Sequence, residues 1–126
     1  MTSGTVTSDR EIVIQLDVLA TNQSCVSIQA VVDTGFNGFL TLPIDVLNVL
    51  EASAAGTRRA ELGDGNLVEM DVYFVQVRWR DEEREILALQ AEAAPLAGMS
   101  LLWGSRVRFD AQDGGVVTID SIPSLG

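Results

Sequence analysis

Apolar and polar residues alternate over much of this chain. Residues 11–19 place Ile12, Ile14, Leu16 and Val18 at every second position, the period of a strand with one buried face. The polar run Thr21-Asn22-Gln23-Ser24 reads as a turn, and residues 25–32 alternate again through Val26, Ile28, Ala30 and Val32, so the two segments predict a hairpin. Asp33-Thr34-Gly35-Phe36-Asn37-Gly38 then breaks the pattern, its glycines and asparagine suiting a loop with unusual backbone angles, and residues 39–42 resume a short strand. Residues 43–52 predict a helix. Pro43 suits a first helical position, Asp45 favours the first turn, and Ile44, Leu47 and Leu50 or Glu51 share a face.

Further strands are predicted over residues 58–62 and 67–79, joined by the hairpin signal Gly63-Asp64-Gly65-Asn66. In the second of these, Tyr73, Val75, Val77 and Trp79 share one face, with Val72, Phe74 and Gln76 on the other. The charged stretch 80–84 reads as a turn, residues 85–91 as a strand, and residues 95–103 as a segment ending in one helical turn. Residues 107–109 and 116–119 pair through Asp113-Gly114-Gly115. No repeat of fixed period and no low-complexity segment interrupts the pattern. One domain over residues 11–120 is expected, with residues 1–10 a flexible N-terminal segment and 121–126 a tail.

Composition narrows the chemistry. Eighteen acidic residues against eight basic ones give a net charge of −10, which excludes a polyphosphate partner such as nucleic acid. No apolar run approaches the about 18 residues a membrane helix needs, and residues 1–10 lack a secretory apolar core, so a cytoplasmic protein is expected. Cys25 is the only cysteine, so no intrachain disulfide forms. There is no histidine, which removes Ser-His-Asp and Cys-His catalysis and histidine-bound zinc. Hydrolytic chemistry here must run on carboxylates, hydroxyls, amines or a carboxylate-bound metal.

Asp33-Thr34-Gly35 is the segment with chemical promise, because an apolar strand delivers a carboxylate into a glycine loop. The plain alternative is that Asp33 caps a turn and the glycines serve the backbone. Other clusters are weaker. Asp64-Gly65-Asn66 has the look of a calcium loop, but Val68 stands at the next ligand position. Asp81, Glu82, Glu83 and Glu85 suit a solvated turn better than a metal site. Cys25 lies in a strand pattern without an activating base, and Trp79 and Trp103 read as core or interface aromatics.

The stretch Val31-Val32-Asp33-Thr34-Gly35-Phe36-Asn37-Gly38 resembles the active-site loop of retroviral-type (retropepsin-like) aspartic proteases, especially their small bacterial members. Leu96-Ala97-Gly98-Met99-Ser100-Leu101-Leu102 resembles that family's apolar-apolar-Gly segment, which leads into a short helix behind the loop, and the Gly63–Asn66 hairpin stands where the family carries its flap. The resemblance implies a mainly β fold, a small closed or partly closed barrel with one or two short helices, in a homodimer. It implies an endopeptidase in which Asp33 of each subunit forms a catalytic pair, with no cofactor or metal, acting on peptide or protein substrates. Thr34 would bond across the two-fold axis, and Gly35 would leave room for substrate main chain. Phe36, Asn37 and Gly38 would line the cleft, Gly63, Asp64 and Gly65 would close over the substrate, and Pro95, Leu96 and Ala97 would form side-chain pockets. A non-catalytic peptide-binding or dimerisation module on the same fold is the alternative. A small β-domain unrelated to proteases is a further one.

Overall fold

β-Branched residues and leucines at alternate positions build the central hairpin, β2 (Ile12–Leu19) and β3 (Cys25–Val32), paired from Val13↔Val31 to Leu19↔Cys25. Ile14, Leu16 and Val18 of β2 and Ile28 and Ala30 of β3 are buried, and the polar residues between them face outward. The computed structural model describes residues 2–61 and 64–123, which form a mainly β fold with two short helices.

Before the hairpin comes β1 (Thr2–Val6), and this segment departs from the sequence expectation for residues 1–10. It is hydrogen-bonded on both sides, to β2 and to the last strand, so it belongs to the sheet. Its sequence gives no alternating signal because backbone pairing holds it. Gly4 permits this: a Cβ there would overlap the Val13 carbonyl oxygen.

After the hairpin follow β4 (Leu40–Leu42) and α1 (Ile44–Leu50). Pro43 caps α1 and has no side-chain acceptor to offer, and the Ile44 N–H is met instead by Glu92 Oε1 at 3.0 Å. α1 buries Leu47 and Leu50, each stabilising the fold by roughly 1.5–3 kcal/mol relative to exposure. It ends at Glu51 in the left-handed conformation.

β5 (Ser53–Glu61) and β6 (Leu67–Trp79) form the second hairpin, and β5 has no sheet partner besides β6 among the described residues. β5 starts earlier than its sequence suggested. Small and polar residues fill its first half, and a bulge between Ala54 and Gly56 breaks the alternation. β6 turns into β7 (Glu82–Gln90) through Arg80-Asp81, both with positive φ, the two-residue hairpin turn whose twist matches its strands. Then come β8 (Leu96–Ala97), α2 (Met99–Leu102), β9 (Ser105–Phe109) and β10 (Val116–Ser121).

The ten strands run in the order β5-β6-β7-β4-β8-β3-β2-β1-β10-β9, and β6 also pairs with β2 through Asp17↔Arg78, Val18↔Val77 and Leu19↔Gln76. That second pairing folds the sheet back on itself. The core lies inside the fold, with Trp79, Leu16, Leu40, Leu42, Leu47 and Leu101 among its fully buried side chains. Cys25 is exposed at the turn end of the first hairpin, opposite Leu19. No helix among the described residues is long and apolar enough to cross a membrane.

Candidate active site

β3 and β4 are consecutive in the chain but are not neighbours in the sheet. β8 lies between them, parallel to β3 through Val31↔Leu96 and Val32↔Ala97 and antiparallel to β4 through Leu40↔Ala97. The loop from Asp33 to Phe39 therefore bridges across the end of β8. Three hydrogen bonds fix β8 beneath it. Val31 N–H donates to the Pro95 carbonyl at 2.9 Å, Asp33 N–H to the Ala97 carbonyl at 2.9 Å, and Leu96 N–H to Thr41 Oγ1 at 2.9 Å. Thr41 is the one buried polar residue among those described, and this bond explains its presence in an otherwise apolar strand.

Within the loop, Asp33 Oδ1 accepts the Gly35 N–H at 2.9 Å, and the Asp33 carbonyl accepts the Phe36 N–H at 3.2 Å. Asp33 is half-buried, and Thr34, Gly35 and Asn37 are exposed. Behind the loop, residues 98–100 bond four consecutive carbonyls. Gly98 N–H donates to Phe39 O at 3.0 Å, Met99 N–H to Phe36 O at 2.8 Å and Ser100 N–H to Gly38 O at 3.1 Å, while Ser100 Oγ donates to Asn37 O. The first N–H groups of α2, which have no partner inside the helix, thus find acceptors in the loop. Gly98 makes the approach possible, since a Cβ there would overlap the Gly38 carbonyl oxygen and lie 2.6 Å from Phe36 Cδ2. The Phe36 ring also lies against Gly38, so Phe36 braces the loop over two glycines. At the far end the Arg84 guanidinium stands 6.0 Å from the Phe39 ring centre, within cation–π range.

Most residues singled out from sequence are therefore neighbours: Asp33 to Gly38 form the loop, and Pro95, Leu96 and Ala97 lie directly beneath it. Ala97 is fully buried at the strand crossing, where a small side chain fits. Gly63 lies outside the described residues, Asp64 Oδ1 accepts the Asn66 N–H at 3.0 Å, and Gly65 has φ +85. Among the described residues no hydrogen bond joins Asp64, Gly65 or Asn66 to the Asp33 loop. Thr41 escaped the sequence reading, and Gly98 and Ser100 entered it as part of the segment expected behind the loop, without their individual bonds to it. A hydroxyl between two leucines, as in Leu40-Thr41-Leu42, was the signal available for Thr41.

Chemically, the loop offers one carboxylate per chain at an accessible position, with its backbone held from below and behind. No group of three or more Asp, Glu, Cys or His side chains suited to a metal occurs among the described residues. Comparison with protein-family models, with curated proteins and with solved structures finds no match for this chain.

Proposed function

We propose that this chain is one subunit of a homodimeric aspartic endopeptidase of the retropepsin-like type, with Asp33 from each copy forming the catalytic pair. Two carboxylates within hydrogen-bond distance hold one proton between them, because both cannot ionise cheaply. The ionised member takes a proton from a bound water, the water attacks the scissile carbonyl carbon, and the protonated member donates a hydrogen bond to the carbonyl oxygen. An extended peptide would lie between subunits and pair its backbone with the β5–β6 hairpins. The pairing of β6 with β2, which turns the sheet back on itself, supports a barrel of that family's kind.

The observation that carries this reading is the placement of Asp33. It is half-buried on a loop whose carbonyls from Phe36 to Phe39 are all tied down by residues 98–100. Such bracing holds a reacting group in a fixed geometry, which is what positioning catalysis requires. One observation favours the alternative, a non-catalytic peptide-binding or dimerisation module. The bond from Gly35 N–H to Asp33 Oδ1 is an Asx-turn contact that an aspartate makes whatever its chemistry.

Asp33→Asn separates the two. The amide oxygen of the substituted side chain still accepts the Gly35 N–H, so fold and assembly are kept, but the amide cannot serve as the ionised base. Digestion of a peptide library should fall to below about a hundredth of the wild-type rate, the scale of general-base catalysis. Cleavage at wild-type rate by the folded variant would refute the assignment.

A further inference from the structure

We propose that Asn37-Gly38 is a self-modifying site: the Gly38 nitrogen closes a five-membered imide on the Asn37 side chain, and the Ser100 hydroxyl activates that nitrogen. The chemistry stands apart from the protease reading, which bears only on what the modification does to activity. Asn37 is exposed, and its side-chain amide makes no hydrogen bond among the described residues. The Gly38 N–H has no acceptor there either, although the Gly38 carbonyl accepts the Ser100 N–H at 3.1 Å. Both reacting groups are therefore free. Packing keeps the neighbour of the asparagine small. A Cβ on Gly38 would lie 2.5 Å from Phe36 Cζ, so the ring holds this position to glycine, and glycine leaves the attacking nitrogen unhindered. The other asparagines lack this setting. Asn22 Oδ1 accepts the Ser24 N–H at 3.0 Å, Asn66 Nδ2 donates to Asp64 Oδ2 at 2.8 Å, and Asn48 lies within α1. None of the three precedes a glycine.

Ser100 supplies the activation. Its Oγ donates to the Asn37 carbonyl oxygen, which belongs to the same peptide unit as the Gly38 nitrogen. When that N–H gives its proton to hydroxide, negative charge spreads onto the Asn37 carbonyl oxygen, where the Ser100 donor stabilises it. The nitrogen then attacks Asn37 Cγ and the new N–C bond forms. The bond from Cγ to Nδ2 breaks, and Nδ2 leaves as ammonia with a proton from water, which restores the hydroxide. Water reopens the imide at either carbonyl. One opening leaves aspartate at position 37. The other leaves isoaspartate, whose main chain runs through the former side chain and is one methylene longer. Nothing is oxidised or reduced; one water enters and one ammonia departs. Either product adds a carboxylate to the loop that carries Asp33. Isoaspartate also cannot keep the carbonyls of residues 36–39 on residues 98–100, whose bonds are spaced for the unmodified chain. On the protease reading, conversion switches the site off at a rate the chain itself sets.

Incubation of the full chain at mildly alkaline pH tests this, with peptide mapping by mass spectrometry and enzymatic methylation of isoaspartate as readouts. The mass gain of amide to acid should appear at position 37 well before it appears at Asn22, Asn48 or Asn66. Asn37→Gln, which would need a six-membered ring, should abolish the isoaspartate signal. Ser100→Ala should slow conversion about fivefold, the scale of one hydrogen bond. A merely loosened loop would speed ring closure, so the direction separates activation from support. Ser100→Thr keeps the hydroxyl and should convert at close to the wild-type rate, and circular dichroism should confirm that the variants are folded. A folded wild type whose Asn37 stays intact throughout overturns the proposal, whether or not another asparagine converts. So does a folded Ser100→Ala chain that converts as fast as the wild type, or faster. Should position 37 convert as described in a chain that never cleaves peptide, the protease reading fails and this site stands. Should Asn37 persist in a chain that does cleave peptide, this site fails and the protease reading stands.

Discussion

Gly98 and Gly38 stand so close that a Cβ on Gly98 would overlap the Gly38 carbonyl oxygen, which itself accepts the Ser100 N–H. Backbone lies on both sides of this contact, so no flexible side chain can give way. Gly98→Ala should therefore push the 98–100 segment off the Asp33 loop and destabilise the protein by about 1–3 kcal/mol, the usual cost of overpacking. Urea denaturation measures it. Since Gly98 has φ −99, which alanine adopts freely, the loss would report the contact and not backbone strain.

Thr41 offers a cleaner probe of the same support. Its Oγ1 accepts the Leu96 N–H, and Thr41→Val keeps the shape while removing the acceptor. The Leu96 amide is then left without a partner in a part-buried position, at a cost of about 1–3 kcal/mol. Thr41→Ser retains the hydroxyl and should recover most of that loss. Equal stability of the valine and threonine proteins would show that β8 is held by its strand pairing alone.

How much of this was legible in the sequence depended on what holds each element. β2, β3 and β6 bury one face, so Ile14, Leu16 and Val18, or Val75, Val77 and Trp79, announce themselves at period two. The α1 segment was legible through Pro43 and the Leu47–Leu50 face. β1 was not, because Thr2–Val6 is held by backbone bonds to two neighbours and buries one apolar side chain, Val6, among its described side chains. The first half of β5 was hidden by its bulge and its small residues. At the site, Asp33-Thr34-Gly35 and the segment from Pro95 to Gly98 stood out. The hydroxyl bonds that tie them together did not, since Thr41 and Ser100 act through single side-chain oxygens that leave no periodic trace.

Salt should strengthen the proposed dimer. Two copies at −10 repel at pH 7. Raising sodium chloride from ~0.05 M to ~0.5 M shortens the screening length and should tighten association by on the order of tenfold. Sedimentation at fixed pH checks the direction. Weakening by salt would mean that ion pairs between copies, and not an apolar face, hold the dimer.

The β5–β6 hairpin should act as a lid on the proposed site, and Gly65 is where that idea is tested. Its outer arms are exposed, with Thr57, Arg58, Arg59, Leu67 and Glu69 all open to solvent and Thr57 Oγ1 bonded across the hairpin to Glu69 Oε1 at 3.0 Å. A segment with so little packing opens at far less than the global unfolding energy. Gly65 has φ +85, and a Cβ there meets nothing within 4 Å. Gly65→Val therefore creates no clash; it strains the backbone of the turn, because a β-branched residue rarely tolerates positive φ. If closure of the hairpin over bound peptide is part of turnover, this variant should lower kcat/KM at least tenfold, about 1.4 kcal/mol of transition-state stabilisation. A purely structural turn predicts the reverse: a lower melting temperature with kcat/KM intact. Steady-state kinetics beside a thermal melt on one preparation distinguishes the two, and retained activity would remove the hairpin from the mechanism while leaving Asp33 in place.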